Sequence, residues 1–183
     1  KHLKREIAKL RHEEKYLKQV SMNIEQADTL EDIEEIKEEL KEESYIKKQK
    51  QNKRNKSNKK LPPRKFISSD GYQILVGRNN KQNDRLTKKI ANEGDIWLHT
   101  KVIAGSHVII KRDTNKEVPD QTLNEAASLA AYFSKARESK NVPIDFTPVE
   151  NVNKPKGAKP GLVYYEKYQT IYIDPNPELL KKL

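Results

Sequence analysis

The first third of the chain alternates apolar and polar positions with the period of an α-helix. Its apolar residues are spaced by four and three, with breaks at Glu14 and Ser21, which indicates a helix that needs a partner helix. The seam consists of Leu3, Ile7, Leu10, Leu17 and Ile24. A second helical stripe follows, made of Leu30, Ile33, Ile36 and Leu40.

The break between these two helices is predicted near Ala27–Thr29. Thr29 and Asp32 have the spacing of a capping box, which places Thr29 at the N-cap of the second helix. We therefore predict a helical hairpin over residues 1–56 that forms an antiparallel coiled-coil arm. A single long helix is the alternative.

After the first third, β-branched and aromatic residues become frequent and the pattern changes to that of strands. Seven strands are predicted, at Lys65–Ser68, Tyr72–Val76, Asp95–Thr100, His107–Arg112, Ile144–Thr147, Leu162–Tyr165 and Thr170–Ile173. The sequence Ser69-Asp70-Gly71 predicts a turn between the first two strands.

Two helices are predicted among these strands. One covers Asp84–Asn92 and ends before Gly94. The other covers Thr122–Arg137, with a capping box from Thr122 to Glu125 at its start. Its inner face is Leu123, Ala126, Ala127, Ala130 and Phe133. The predicted fold class is α+β: a compact mixed sheet-and-helix domain preceded by the coiled-coil arm.

Charge is concentrated at the junction between the arm and the domain. Residues 47–65 carry ten Lys or Arg and no acid, so this block alone equals the formal net charge of +10 of the whole chain. Residues 29–46 carry eight acids and two lysines, a net charge of −6. With Pro62-Pro63 ending regular structure, we predict an arm at 1–56, a basic linker at 57–64 and a domain at 65–183.

Composition narrows the function classes. The chain is 34% apolar and 35% charged, which favours an extended part beside a small core. Its positive charge favours polyanionic partners, although solubility alone is the alternative. The absence of cysteine excludes disulfides and thiol chemistry and fits the cytosol. No apolar run predicts membrane insertion, and the start at Lys1 within a helical pattern predicts a fragment of a longer protein.

A polar edge is predicted where the second strand ends and a helix begins. Arginine and amide side chains at a helix N-terminus can donate to phosphate, and amides can also pair with base edges. The candidate residues are Arg78, Asn79, Asn80, Gln82 and Asn83. The alternative is that the asparagines cap the helix and build the turn.

Asp95, Trp97 and His99 alternate along one strand and therefore share one face of it. If the aliphatic residues between them face the core, Trp97 and His99 are placed to stack on unpaired bases, with Asp95 orienting His99 or a nearby cation. The alternative is that Trp97 anchors the core.

Ser106 and His107 occupy a turn that enters a strand. A serine nucleophile with His107 as its base is disfavoured, because adjacent strand residues point to opposite faces and there is no Gly-x-Ser-x-Gly elbow. A metal site of Asp95, His99 and His107 is a further alternative. Ser106 and His107 are also candidates for RNA contact, although the favoured role of the pair is structural. No catalytic residue, metal or cofactor is predicted.

The loop over residues 154–161 places three cations between prolines and glycines. Lys154, Lys156 and Lys159 on a stiff, non-helical loop suit contact with phosphate, as does the basic block 47–65. A solvated loop and a solvated linker are the alternatives. The acidic second helix favours contact with protein.

Three ordered segments carry a resemblance to a known family. They are GRNNKQND (77–84), DIWLH (95–99) and AGSHVIIK (104–111), followed by AASLAAYFSKAR (126–137) and KPKGAKPG (154–161). Together they resemble the C-terminal RNA-binding-type domain of the NFACT family, which includes RqcH-like proteins and proteins named for fibronectin binding. The arm segments YLKQV (16–20) and TLEDIEEIKEEL (29–40) resemble the family's coiled-coil middle part. Ala104 departs from the family's usual proline.

The resemblance implies a role in the rescue of stalled ribosomes. RqcH-like proteins bind the separated large subunit, recruit alanyl-tRNA and support alanine tailing of the nascent chain. The ribosome makes the peptide bonds, so the resemblance implies a cytoplasmic, non-enzymatic scaffold whose partners are tRNA, rRNA and ribosomal proteins. The family's N-terminal domain is absent from this chain, so full tailing is not expected of it.

Two other classes remain open. The family's alternative name suggests an adhesin that binds fibronectin at the cell surface, although the C-terminal sequence ELLKKL has no cell-wall sorting pattern. A metal-dependent nuclease or hydrolase built on Asp95, His99 and His107 is the third hypothesis.

Overall fold

The computed structural model describes residues 2–47, 60–112 and 116–181. Four α-helices are α1 (His2–Glu25), α2 (Leu30–Glu42), α3 (Asn80–Arg85) and α4 (Asp120–Tyr132), and a π-helical turn, Leu86–Ile90, continues α3. The eight strands are β1 (Arg64–Ile67), β2 (Gln73–Val76), β3 (Ile96–Thr100), β4 (Val108–Ile110), β5 (Val142–Pro148), β6 (Val152–Asn153), β7 (Tyr164–Tyr165) and β8 (Gln169–Ile173). Short 3₁₀ turns lie at Val149–Asn151 and Pro177–Lys181. Within the described residues, no helix combines the length and apolarity needed to cross a bilayer.

The arm is a hairpin of α1 and α2, and the predicted capping box joins them. The Thr29 hydroxyl accepts a hydrogen bond from the Asp32 backbone N–H at 3.2 Å, and the Asp32 carboxylate accepts one from the Thr29 N–H at 3.1 Å. This confirms the predicted break and excludes one long helix. Tyr16, Val20 and Ile36 form the apolar contact between the helices. The part of the arm predicted for residues 48–56 lies outside the described residues.

The prediction that the apolar seam of α1 contacts α2 is wrong. Leu3 is 72% exposed and Leu10 is 64% exposed, and the rest of the seam is also open to solvent. The buried face of α1 is Tyr16, Gln19, Val20, Met22 and Asn23. Since α2 has only 13 residues and also packs on the domain, it contacts the C-terminal half of α1 through this mixed face.

Six strands form one antiparallel sheet in the order β1-β2-β4-β3-β5-β8, and β6 and β7 form a separate ribbon. Alternate residues of the central strands, among them Ile74, Leu98 and Ile144, pack under α4. The buried alanines Ala126 and Ala130 let the helix lie close to the sheet. The fold is α+β, as the sequence predicted.

The predicted capping box of α4 is wrong. The helix begins at Asp120, so Thr122 lies inside the first turn, and Pro119 at the N-cap provides no side-chain bond. The Thr122 hydroxyl instead donates to the Asp70 carboxylate at 2.7 Å, and Glu125 accepts the Ser69 N–H at 2.9 Å. Both residues therefore tie α4 to the turn between β1 and β2.

The helix α4 also ends five residues earlier than predicted, at Tyr132. The carbonyl of Phe133 accepts the Ser106 N–H at 2.9 Å, and Gly105 pairs with Ser134 in an isolated bridge. These hydrogen bonds to the turn before β4 take the place of those that would extend α4 beyond Tyr132.

The second face of the sheet is covered over its central strands. Leu86 of the π-helical turn, Val149 and Val152 pack on Trp97 and Ile109. The helix predicted at Asp84–Asn92 in fact begins at Asn80 and changes to π-helical geometry at Leu86. The sheet thus has apolar clusters on both faces.

Helix α2 joins the arm to the domain through a buried carboxylate. Glu39 is 1% exposed and accepts hydrogen bonds from the Tyr16 hydroxyl at 2.9 Å, the Asn80 amide at 2.9 Å and the Lys81 N–H at 3.3 Å. Burial raises the pKa of this carboxyl group, while the hydrogen bonds lower it. Three donors from two other elements hold one acceptor, so the arm and the domain form one packed unit.

A second pair of hydrogen bonds fixes α1. The side-chain amide of Gln19 donates to the Gly105 carbonyl at 2.7 Å and accepts from the Gly105 N–H at 3.0 Å. A Cβ atom at position 105 would lie 2.5 Å from the Thr100 hydroxyl oxygen, so the close packing against Thr100 requires Gly105.

Replacing Glu39 with alanine tests whether this carboxylate holds the arm to the domain. E39A should lower the free energy of unfolding by roughly 3 kcal/mol, because three buried donors lose their acceptor. Urea unfolding measures the change. The matched control is E34A, which changes an exposed position of the same helix and should shift stability by less than about 0.5 kcal/mol. Equal effects of the two substitutions would contradict this role of Glu39.

Candidate nucleic-acid interface

The polar edge after β2 is built by local hydrogen bonds. Asn79 caps α3, since its side-chain oxygen accepts the Gln82 N–H at 2.8 Å, and the Gln82 side-chain oxygen accepts the Arg78 N–H at 2.8 Å. The side-chain oxygen of Asn83 accepts the His107 N–H at 3.2 Å. The same oxygen would lie 1.9 Å from a Cβ atom at position 77, so the position requires Gly77. These side chains therefore cap the helix and build the turn, which is the alternative that the sequence left open.

Acidic side chains of α2 lie along the same edge. Asp32 pairs with Arg78 at 3.3 Å, and Glu35 accepts from the Asn79 amide at 2.7 Å. Glu39 accepts from Asn80, as described above, and Glu42 forms an ion pair with Lys81. The four carboxylates are spaced by three or four residues, so they share one face of α2 and meet consecutive residues of the edge.

The predicted open contact edge is consequently covered by the arm. Asn80 and Asn83 are at most 1% exposed, and Asn79 and Gln82 are also buried. The Arg78 guanidinium additionally donates to the Pro62 carbonyl at 3.0 Å. The carboxylates of α2 thus occupy donors of Arg78, Asn79 and Asn80 that were expected to meet phosphate. Gln82 instead donates to the Leu61 carbonyl at 2.9 Å, and Asn83 accepts the His107 N–H, so these two side chains hold the linker and the turn before β4.

Trp97 is fully buried, so its predicted exposure to unpaired bases is wrong. Its ring lies 4.7 Å from the Tyr165 ring and 5.7 Å from the nearly parallel His99 ring, measured between centroids. The π-helical turn and the β6–β7 ribbon cover this part of the strand face. The alternative, Trp97 as a core anchor, is what the structure shows.

Asp95 is also buried, and it orients a cation as predicted. Its carboxylate forms an ion pair with Lys111 and accepts the Arg112 N–H at 2.8 Å and the Asn92 N–H at 2.8 Å. These bonds tie the loop before β3 to the end of β4. Asp95 therefore stabilises the domain.

His107 is 1% exposed, and His99 is partly buried. The His99 ring nitrogens lie 2.7 Å from the Thr100 carbonyl oxygen and 3.0 Å from that of Gly105, and His107 Nδ1 lies 2.8 Å from the Thr87 hydroxyl. Burial lowers the pKa of His99 to about 4 and that of His107 well below its ordinary value. Both imidazoles are therefore neutral near pH 7.

This geometry gives no support to catalysis by Ser106 or to the metal alternative. Ser106 is buried, and the His107 Nδ1 contact is with Thr87. Across residues 2–47, 60–112 and 116–181, no three His, Cys, Asp or Glu side chains are grouped as metal ligands would be. Ser106 and His107 instead connect the turn before β4 to α4 and to the π-helical turn.

The basic loop 154–161 is only partly open. Lys154 forms an ion pair with Asp84, and Lys159 pairs with Glu43 at 2.9 Å while lying 4.8 Å from the centroid of the Tyr45 ring. Lys156 is exposed. Of the three predicted lysines, Lys156 is thus the one that the arm and α3 leave available to a ligand.

Sequence reasoning missed a group of cations on the outer side of α3 and the π-helical turn. Arg85, Lys88 and Lys89 are all exposed. The loop that carries Lys156 packs beside them, because Asp84 binds Lys154 and accepts the Gly161 N–H at 3.1 Å. We call Arg85, Lys88, Lys89 and Lys156 the basic surface. The spacing of 85, 88 and 89 was a helical-face signal that could have identified it.

Two family models match the chain. The model described as "NFACT protein RNA binding domain" matches residues 63–167, and the one described as "NFACT N-terminal and middle domains" matches residues 1–59. The first alone covers more than half of the chain.

Curated relatives and a solved structure agree with these matches. The chain is 45% identical over 153 residues to the Rqc2 homolog RqcH of Bacillus subtilis, covering 83% of this chain and 26% of that protein. It is 41% identical to the RqcH protein of Streptococcus suis, and the match covers 100% of this chain and 32% of that protein. The structure of the C-terminal part of the fibronectin/fibrinogen-binding protein from Streptococcus suis has a TM-score of 0.89 at 40% identity, covering all of this chain and 71% of that one. The chain thus spans about a quarter to a third of these curated relatives.

The fluorescence of Trp97, the only tryptophan, tests its burial. The folded protein should emit at the short wavelengths of a buried indole, with little quenching by acrylamide. Adding single-stranded RNA should leave this emission unchanged, because the ring cannot stack on a base. Protein unfolded in urea supplies the quenching control. Strong RNA-dependent quenching in the folded protein would restore Trp97 as a stacking residue.

The lowered pKa values of His99 and His107 predict a loss of stability in mild acid. The unfolded chain takes up protons near the ordinary histidine pKa of 6.5, whereas folded His99 resists protonation until about pH 4. The contribution of the neutral histidines to the free energy of unfolding is therefore complete above pH 6.5. It falls as the pH decreases towards 4, by up to about 1.4 kcal/mol per pH unit for each histidine.

The measurement is the free energy of urea unfolding between pH 4.5 and 7. H99Q should flatten this dependence, whereas H12Q, at an exposed position of α1, should preserve it. A slope unchanged by H99Q would contradict the assignment to His99.

Proposed function

The chain belongs to the NFACT family, and on that premise we propose that it is an RNA-binding scaffold within a ribosome-associated quality-control factor. The observation that carries the proposal is the basic surface of Arg85, Lys88, Lys89 and Lys156, exposed within the part that matches the RNA-binding family model. The α2 carboxylates engage the neighbouring polar edge, so they do not compete for these four cations.

Phosphate attraction is the physical basis of this function. Exposed lysine and arginine side chains on one surface release counterions when they contact an RNA backbone, which makes binding strong at low salt. The net charge of +10 adds long-range attraction. The basic block 47–65 contributes to that charge, although Arg64 is buried and paired with Asp28 at 2.7 Å. Its residues 48–59 lie outside the described part of the chain.

We further propose tRNA and the large ribosomal subunit, through rRNA and ribosomal proteins, as the partners of the longer protein. Relatives are named RqcH in bacteria and ribosome quality control complex subunit NEMF in Homo sapiens, the latter 35% identical over 75 residues. In this proposal the ribosome is the catalyst of alanine tailing, and the protein acts in the cytoplasm without a cofactor of its own. This chain supplies binding and orientation.

The division into arm, linker and domain is also a proposal. The bonds from Glu39 and Gln19 support an arm held at a set angle to the domain. A fixed angle would let RNA contact by the domain position the far end of α1, where Leu3 and Leu10 are exposed. The proposed boundaries are 1–56 for the arm, 57–64 for the linker and 65–183 for the domain, and β1 begins at Arg64, one residue before the proposed domain.

A second candidate function is fibronectin binding at the cell surface. The name of the Streptococcus suis protein of known structure suggests it, and the match to that structure covers the whole of this chain at 40% identity. A basic protein also binds acidic proteins without specificity. Fibronectin binding that persists at moderate salt and depends on a defined patch would support this candidate.

Charge reversal at the basic surface tests the RNA-binding proposal. The triple substitution R85E/K88E/K89E should weaken binding to tRNA or rRNA fragments at least tenfold at about 100 mM salt, and should reduce the slope of log K against log salt by roughly 2. Fluorescence anisotropy at several salt concentrations measures both quantities.

The matched control reverses three exposed cations of α1, as K4E/K9E/R11E, with the same change in net charge. It should preserve more of the affinity than the first triple. Equal losses would show attraction by net charge alone. An affinity of the unmodified protein that stays constant between about 50 and 200 mM salt would contradict phosphate-driven binding.

A further inference from the structure

A row of aromatic rings leads from the core to the solvent beside β8. The centroid of Trp97 lies 4.7 Å from that of Tyr165, which lies 5.2 Å from that of Tyr168. Tyr168 is 43% exposed. The row extends past the π-helical turn that covers Trp97. Tyr168 therefore exposes an aromatic ring to solvent, whereas the Trp97 ring is buried.

Tyr172 adds a second exposed ring four residues further along the chain. It is 62% exposed and lies in β8, an edge strand of the sheet. Ile171 and Ile173 pack against the α4 side, so alternation directs Thr170 and Tyr172 to the opposite face. Roughly 13 Å of extended chain separates positions 168 and 172.

A lysine lies against the Tyr168 ring. The Lys101 ammonium is 5.0 Å from the centroid of the Tyr168 ring, 3.4 Å from the Thr170 hydroxyl and 3.7 Å from the Asp145 carboxylate. Tyr165 donates to Asp145 at 2.8 Å, and Thr170 donates to the same carboxylate at 2.5 Å. The buried Asp145 therefore fixes the residues beneath the exposed rings.

The loop after β3 borders the same surface and is conformationally unusual. Val102 has a φ of 64° and is 89% exposed. A β-branched residue in the left-handed region is a rare and costly backbone state. It keeps an apolar side chain in solvent next to Lys101.

From these contacts we infer that Tyr168 and Tyr172, together with Lys101, form a stacking surface for the unpaired bases of single-stranded RNA. This deepens the proposed function, on which it rests. Aromatic rings on a sheet face bind splayed bases, while a nearby ammonium group binds phosphate or the base face. The Lys101 side chain is 39% exposed, and contact with a phosphate would replace its contact with Asp145, which keeps the Tyr165 and Thr170 hydroxyls as donors.

Charged side chains of both signs border β8. Exposed Lys167 precedes the strand, and exposed Lys140 lies near its far end, where Asn141 donates to Asp174 at 2.6 Å. The exposed acids Glu138, Glu166 and Asp174 lie beside these positions, so the local charge is mixed. The two tyrosines and the neighbouring Lys101, rather than net charge, therefore supply the contact with bases.

The test compares single-stranded RNA with a duplex of the same sequence. Y168A/Y172A should weaken single-strand binding by roughly tenfold or more and alter duplex binding by less than about threefold, because paired bases are not free to stack. A 2-aminopurine base in the oligonucleotide reports stacking directly, and its fluorescence should be quenched by the unmodified protein and less by the variant.

Two controls separate stacking from a folding defect. Y168F/Y172F keeps both rings and should retain single-strand binding and quenching. I67A removes an exposed apolar side chain from β1, the opposite edge of the sheet, and should change neither. Circular dichroism and thermal unfolding verify that each variant is folded.

The outcomes distinguish this inference from the proposed function. If the unmodified protein binds RNA with the expected salt dependence but folded Y168A/Y172A binds single strands equally well, the stacking surface is overturned and the basic surface stands. If the unmodified protein binds neither single-stranded nor duplex RNA at low salt, the proposed function fails and this inference fails with it.

Discussion

The buried carboxylate of Glu39 is the constraint on which the arrangement of this chain depends. A charged group taken out of water must be surrounded by donors, and Glu39 finds them in Tyr16 of α1 and in Asn80 and Lys81 of α3. The positions of α1, α2 and α3 are therefore linked. Because the π-helical turn continues α3, the same linkage positions Leu86 over Trp97 and closes the second face of the sheet.

This constraint explains why a stretch rich in ligand-binding side chains is used inside the protein. Carboxylate oxygens accept hydrogen bonds from arginine and amide groups in the same way as phosphate oxygens. An edge such as Arg78–Asn83 therefore has the same sequence pattern whether it meets RNA or an acidic helix. The acidic residues that identify its actual partner lie about forty-five residues earlier, at Asp32, Glu35 and Glu39.

Sequence patterns predicted what local physics determines. The capping box at Thr29, the positions of the principal strands and the inner face of α4 depend on neighbouring residues, and the structure contains them. The errors arose where distant elements decide. Thr122 has the spacing of an N-cap, but Asp70 offers its hydroxyl a partner from another turn. Trp97 alternates with aliphatic residues, and strand alternation alone cannot show that a second layer covers its face.

The surfaces that we propose for RNA are those that the arm does not use, and salt should affect the two kinds of contact differently. Exposed cations such as Lys88 and Lys89 are screened by salt within a Debye length of about 8–10 Å. The amide–carboxylate bond between Asn80 and Glu39 is buried, so mobile ions screen it much less. Moderate salt should thus release RNA before it loosens the arm. The salt dependence of binding then reports contacts with phosphate, and the arm keeps its orientation while RNA associates and dissociates.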